Sequence, residues 1–416
     1  MQLHLRDRLI GMVGNILEHY DNALFGLLAP FLAPLFFEKS DPLTGLILTY
    51  CMLPLGILMR PLGSIFFGWI GDLFGRTRAL CCSLFGMAIA TVAMGCLPVY
   101  AEVGYFAPLF LALGRILQNF CAAGESVGGA IYILERTDRP KKNLMSGIYD
   151  ASSVAGILLA SAMVTLFSYQ GIIFDKWRVL FWIGGVVAIS GILFRLKASE
   201  GEEYIHAKKL PRGNLISLIK EHRAALIAII CVAGFSHTTF FLAFTLMNGF
   251  VPLITSLSKT QVMGANTLLL FVDMLFLPMF ATLASRIGRE KMMLAAAGTS
   301  MFCAIPLFCC LKGASLLVVI LIRFVIMGLG VAFSSTYHSW SQDRVPSEAR
   351  YTILSLGYAL GSQVIGAPTV ALCLWLYKET GWFGAPALYL MVTAALAAFF
   401  VRKYFNQRVV LKPDRI

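Results

Sequence analysis

The sequence predicts an all-α membrane protein with twelve transmembrane helices, arranged as two pseudo-symmetric six-helix bundles. Three observations carry this. The chain is 58% hydrophobic and only 13% charged, with a mean hydropathy of +0.77. A soluble domain holds about 45–50% apolar and about 25% charged residues. Its apolar runs match the ~20 residues a helix needs to cross a bilayer and far exceed the ~10 of a barrel strand. The second half of the chain also repeats features of the first at matching spacing.

The elements follow in order. Apolar runs at 9–37, 43–71, 79–97, 105–134, 145–168 and 177–196 make the first six spans. After a charged interruption, runs at 224–253, 264–285, 292–311, 314–340, 351–377 and 382–401 make six more. The first run follows Arg6 and Arg8 and contains Glu18, His19 and Asp21, with no small-residue cleavage site. It is expected to be a retained span and not a signal peptide. The division expected is a bundle at 1–196, a cytoplasmic linker at 197–223, a second bundle at 224–405 and a cytoplasmic tail at 406–416. The linker carries Glu200, Glu202, Glu203, Lys208, Lys209 and Arg212 and reads as a solvated segment on the membrane surface.

The net charge is +12, from 34 Lys and Arg against 22 Asp and Glu. Basic residues collect in alternate loops, at Arg76 and Arg78, at Arg139, Lys141 and Lys142, at Arg286, Arg289 and Lys291, and at Arg402, Lys403 and Arg408. This is the pattern of a multi-pass protein of the plasma membrane, the inner membrane in a Gram-negative cell, with both termini cytoplasmic. No basic patch is interleaved with aromatic residues, so nucleic acid is not an expected partner; the lipid bilayer is. The ten cysteines form no CxxC and no Cys/His spacing suited to zinc. They read as small buried hydrophobes.

The repeat is visible in two loops. Residues 68–78 read GWIGDLFGRTR, and residues 281–291 read ATLASRIGREK. Arg115 in span four has Arg323 at the matching place in span ten. Parallel repeats of this kind place a binding site between the halves near mid-membrane.

Ionisable residues inside the spans mark that site, because a charge at bilayer depth costs about 3 kcal/mol or more unless turned to protein or water. Asn15, Glu18, Asp21 and Asn22 form a polar stripe at helical spacing on span one. Asp21, Glu18 and, in span four, Glu125 are candidates to bind a proton. A buried ion pair with Arg60 or Arg115 is the structural alternative for the span-one acids. Arg115 offers a planar fork suited to a carboxylate, and Arg323 is the second candidate anion contact. Asn22, Gln118, His237 and His338 complete the expected substrate-binding set. Asp150, near the start of span five, is expected at a cytoplasmic gate. Arg60, beside Pro61, is expected to brace its helix, and Asp273 in span eight is a further candidate to line a cavity.

These residues resemble a known family. Residues 68–78 resemble the cytoplasmic signature of the major facilitator superfamily, and Arg115-x-x-Gln118 resembles its fourth-helix motif, with Asn119 where glycine is usual. Three stretches are similar to the metabolite:proton symporter branch. They are GNILEHYD at 14–21 (GNxxEWFDF), RPLGSIFFG at 60–68 (RPLGxxxFG), and Gly124-Glu125 (GGE). His19-Tyr20 replaces Trp-Phe, and Ala123 replaces the first glycine of GGE. The branch includes permeases for proline and betaine, for dicarboxylates and tricarboxylates, and for shikimate-type acids.

The resemblance implies a monomeric proton-coupled symporter working by alternating access. It would import a small polar metabolite, a carboxylate or zwitterion such as an osmolyte or organic acid, driven by the proton gradient with no cofactor. It also implies that Asp72, Arg76 and Arg78 form a charge lock on the cytoplasmic side. The alternative is a proton-driven exporter of drugs or metabolites; the first-span and RPLG stretches argue against it. A membrane enzyme would need a nucleophile–base arrangement or clustered metal ligands. No HxxxH, HExxH or DxxD cluster is present.

Overall fold

The computed structural model describes residues 5–37, 41–56, 59–63, 66–67, 70, 76–122, 128–135, 137–196 and 215–405. Among them, eight helices are long and apolar enough to cross a membrane, and two apolar helices, Cys81–Gly95 and Phe106–Ala122, are shorter. In the first half run α1 (Leu5–Phe36), α2 (Pro42–Tyr50), α3 (Arg76–Gly95), α4 (Phe106–Ala122), α5 (Gly128–Glu135), α6 (Lys142–Tyr169) and α7 (Ile173–Leu196). The second half runs α8 (Arg223–Phe240), α9 (Met247–Ile254), α10 (Lys259–Ile287), α11 (Arg289–Cys309), α12 (Leu316–Ser334) and α13 (Tyr337–Gln342). It ends with α14 (Ser347–Leu360), α15 (Thr369–Thr380) and α16 (Ala385–Lys403). Here the face on which α1 begins and α16 ends is called the terminal face, and its opposite the far face.

Several spans differ from uninterrupted helices, each for a local reason. Span two breaks after α2 into a 3₁₀ turn at Leu53–Leu55, because Pro54 has no N–H to return to the Tyr50 carbonyl. Span eight starts at Lys259, five residues before the apolar run. Ser258 accepts from the Gln261 amide (3.2 Å) while the Gln261 side chain accepts from the Ser258 amide (2.9 Å). This capping box holds a polar first turn that hydropathy reads as loop. Spans seven and eleven each contain a π-helical turn, Phe241–Leu246 and Gly361–Gly366. There the backbone ladder changes register and leaves carbonyls for side chains. Tyr50 donates to the Thr245 carbonyl (3.1 Å) and Tyr389 to the Ile365 carbonyl (2.7 Å).

The halves meet along α6 and α10, which run antiparallel. Gly147 lets α6 reach the backbone of α10: a Cβ there would lie 2.7 Å from the Leu277 carbonyl. Towards the far face, hydroxyls tie the pair, Thr165 to Thr267 (2.7 Å) and Ser168 to Thr260 (2.7 Å). Within the first half, Gly156 brings α6 against the α1 backbone at Ile16 and Tyr20.

Further contacts join the halves at both faces. At the far face the Lys259 ammonium donates to the Pro30 carbonyl (2.6 Å). That carbonyl is available because Pro34, four residues on, has no N–H to bond it. The ammonium also sits 5.5 Å from the Phe31 ring and 5.7 Å from the Phe174 ring. Asp41 caps α2 and lies 3.7 Å from Lys378 of the other half. At the terminal face, Ser339 donates to Asn143 (2.6 Å) and Asn143 to Ser285 (3.2 Å).

The charge lock expected at Asp72, Arg76 and Arg78 cannot be placed. Asp72 lies outside the described residues, as do the Arg76 and Arg78 side chains, although α3 begins at Arg76. Its counterpart in the second half is described. Arg289 pairs with Asp343 (2.7 Å), and Arg344 with Glu290 (2.9 Å).

Candidate functional site

A cavity of about 260 Å³ opens between the halves, lined from both. On the first-half wall, α1 presents Glu18 and Asn22, with the Asn22 amide donating to Glu18 (3.4 Å). Asn15 below them is held by Ser152 (2.8 Å) and Ser153 (2.7 Å) of α6. Arg115 of α4 reaches the same wall, 4% exposed, with its guanidinium 4.5 Å above the Phe25 ring. One terminal nitrogen donates to the Gln118 carbonyl oxygen. Its Nε is buried and, among the described residues, has no hydrogen-bond acceptor.

Asp21 stands one layer behind. It is 1% exposed and does not line the cavity. The Thr91 hydroxyl (2.7 Å) and the Gln118 amide (2.8 Å) donate to its carboxyl. Gln118 therefore connects an acid in span one to a cation in the cavity wall. It does not line the cavity either.

The second-half wall is aromatic. His237 and Tyr358 meet edge to face at 5.0 Å, and His338 lies 5.9 Å from Tyr358 and 5.5 Å from Tyr149 of α6. Phe240 and Phe244 continue the surface. His237 is satisfied by the Ala233 carbonyl (2.9 Å). His338 Nε2 is 3.0 Å from the Asp150 carboxyl, a bridge between the halves at the edge of the cavity. Asp273 of α10 also lines the space. Among the described residues no group of three or more His, Cys, Asp or Glu side chains is placed to hold a metal ion.

A family model matches this architecture: that of the Major Facilitator Superfamily, over residues 12–254. The chain belongs to the major facilitator superfamily. Its relatives include the glycine betaine/proline/ectoine/pipecolic acid transporter OusA of Dickeya dadantii (strain 3937), 27% identical over 95% of this chain and 82% of the relative. The proline/betaine transporter of Salmonella typhimurium is 27% identical over 92% of this chain and 80% of its own length. The crystal structure of a D-xylose-proton symporter shares the fold, with a TM-score of 0.74 at 14% identity, covering 95% of this chain and 97% of that one. The chain is thus an integral multi-pass membrane transporter and not an enzyme.

Within this facilitator, the expected site residues separate into those the fold gathers and those it does not. Glu18, Asn22, Arg115, Asp150, His237 and His338 share one cavity. Glu125 lies outside the described residues. Arg323 is placed differently from expectation. It is fully buried and absent from the cavity wall. Its nitrogens donate to the Ala243 carbonyl (2.9 Å), the Val262 carbonyl (3.3 Å), Asn248 (3.3 Å) and Asn266. The π-helical turn in span seven supplies the Ala243 carbonyl, so Arg323 fastens helices together inside its own half.

Arg60 departs from expectation the other way. It lines the cavity, with its Nε donating to Asn119 (3.4 Å). Sequence reasoning missed Tyr149, Tyr358, Phe240 and Phe244. The signal for Tyr358 was its place in GYALGSQ (357–363), an aromatic between glycines and close to a glutamine.

Proposed function

We propose that this facilitator is a proton-coupled symporter that imports a small zwitterion of the betaine and proline type. Arg115 would grip the solute carboxylate, and the aromatic second-half wall would face its ammonium. The observation that carries the reading is the Arg115 guanidinium in the cavity wall, which among the described residues meets an amide oxygen and a ring face but no carboxylate. An unpaired donor on a desolvated cation is costly, and a carboxylate fork completes it. Aromatic faces attract a quaternary or secondary ammonium by cation–π interaction. The names of the relatives, proline/betaine transporters among them, support the same solute class.

Coupling would run through Gln118. Ionised Asp21 accepts from both Thr91 and Gln118. A proton on Asp21 converts an acceptor into a donor, which releases Gln118 and so alters its hold on Arg115. Proton and solute then bind as linked events, and a single carrier moves both as the cavity opens to each face in turn. Both termini would be cytoplasmic, the protein would work as a monomer, and the proton gradient would serve in place of a cofactor.

The test is uptake of labelled glycine betaine and proline into proteoliposomes. Uptake should rise with an inward proton gradient and collapse with a protonophore. Uptake indifferent to the protonophore would defeat the coupling.

A further inference from the structure

The ionisable side chains named so far inside the spans each have a companion. Asp21 has Thr91 and Gln118, Arg323 has carbonyls and amides, and Asp150 has His338. Asp273 differs. It is 4% exposed, lines the cavity, and among the described residues makes no hydrogen bond or ion pair. It lies on α10 one turn before Leu277, whose carbonyl faces Gly147; Asp150 lies one turn after Gly147 on the antiparallel α6. The two residues therefore stand on the two helices that form the seam, and both line the same cavity.

The other elements packed against α10 are α9, α11 and α12. α9 carries no titratable group. α11 carries Arg289, Glu290 and Lys291 at the terminal face and the Cys303 thiol and Cys309 further along. α12 carries Arg323, which is held at Asn266, about two turns from Asp273. Among the described residues none of these three elements thus sets a cation against Asp273; Arg60 and Arg115 line the same cavity, with Arg60 bonded to Asn119 and Arg115 to Gln118. Two like charges in a low-dielectric seam oppose each other, and one ionised carboxylate excludes the other. Asp150 already has His338.

We propose that Asp273 is a second proton-carrying site, in the C-terminal half, and that release of its proton loosens the Asp150–His338 bridge between the halves. The idea rests on the symport reading above and adds to it a site outside spans one and four. In the step, the O–H bond of the Asp273 carboxyl breaks and the proton passes to cavity water. Nothing is oxidised or reduced. The carboxylate left behind repels Asp150 across α6 and α10, and the seam parts where His338 had closed it.

The first experiment is infrared difference spectroscopy on lipid-embedded protein. Wild type should show a carbonyl-stretch band of a protonated carboxylic acid that Asp273→Asn lacks and Asp273→Glu shifts. No band assignable in this way overturns the proposal, whatever the transport result. Asp273→Glu serves if the asparagine variant does not fold.

The second experiment is transport. Asp273→Asn should keep solute counterflow while proton-driven accumulation falls by roughly tenfold, within the ~5–150-fold typical of coupled sites. Accumulation at the wild-type level overturns the proposal. If wild type itself ignores the protonophore, the symport reading fails, and the infrared result still decides the protonation of Asp273.

The third reads the seam. Cross-linking of Asn143→Cys with Ser339→Cys runs through the thiolate and slows in acid in either background; the rate with Asp273 relative to that in Asp273→Asn should rise as the pH falls. The same pH dependence in both backgrounds removes the link to the bridge.

Discussion

Among the described residues the Arg115 guanidinium meets only an amide oxygen and a ring face, and its Nε has no acceptor. Substituting Arg115→Lys preserves the charge and removes the fork, so solute affinity should fall by about 10–100-fold, the worth of a charged hydrogen bond. Competition binding on purified protein measures this. Asp21→Asn should leave Thr91 and Gln118 close to their present positions and remove the titrating proton. Counterflow should persist while accumulation against a gradient disappears. That Glu18, Asn22 and Arg115 turn inward was legible in the sequence because an ionisable or amide side chain in an oily run has few tolerable destinations. Tyr358 and Phe240 were not, since an aromatic residue in such a run suits lipid, core or cavity equally. Arg323 was misread because its carbonyl acceptors arise from backbone register, which residue types do not announce.

At the scale of elements, close approach is set by where side chains are missing. A Cβ on Gly156 would fall on the Ile16 carbonyl and 3.0 Å from the Tyr20 amide nitrogen, backbone atoms that cannot turn aside. Gly156→Ala should therefore destabilise the protein by about 1–3 kcal/mol, the usual range for overpacking. A Cβ on Gly298 in α11 would meet nothing within 4 Å. Gly298→Ala should be neutral or stabilising by up to about 1 kcal/mol from helix propensity alone. Thermal unfolding in detergent compares the two. Spans were predictable because hydropathy reports the membrane directly. Their interruptions were less so. The break after Tyr50 could be read from Pro54, whereas the π-helical turns follow from tertiary contacts such as Tyr50 on Thr245 and Tyr389 on Ile365.

Across the whole molecule, the same two bundles touch at both ends of their interface. Alternating access requires each set of contacts to part in turn. Ser168→Cys with Thr260→Cys at the far face, or Asn143→Cys with Ser339→Cys at the terminal face, should cross-link and stop uptake, and a reductant should restore it. Full transport with either pair locked would exclude rocking of the halves about the cavity. The chemistry of the two ends is unequal. The far end rests on a lysine clasping the Pro30 backbone oxygen, which has no proton to gain or lose, and on hydroxyl pairs. A carboxyl there, Asp41, is held below the usual carboxylate range, mainly by the Thr44 hydroxyl and then by the Thr44 amide, Lys378 and the Leu43 amide. Its contribution is complete above the ordinary aspartate range and fades only as pH drops through that lowered value. The terminal end contains an imidazole against a carboxylate. One end of the interface is therefore latched by a pair of side chains, either of which a single substitution removes, and the other by a backbone oxygen that no substitution at Pro30 takes away.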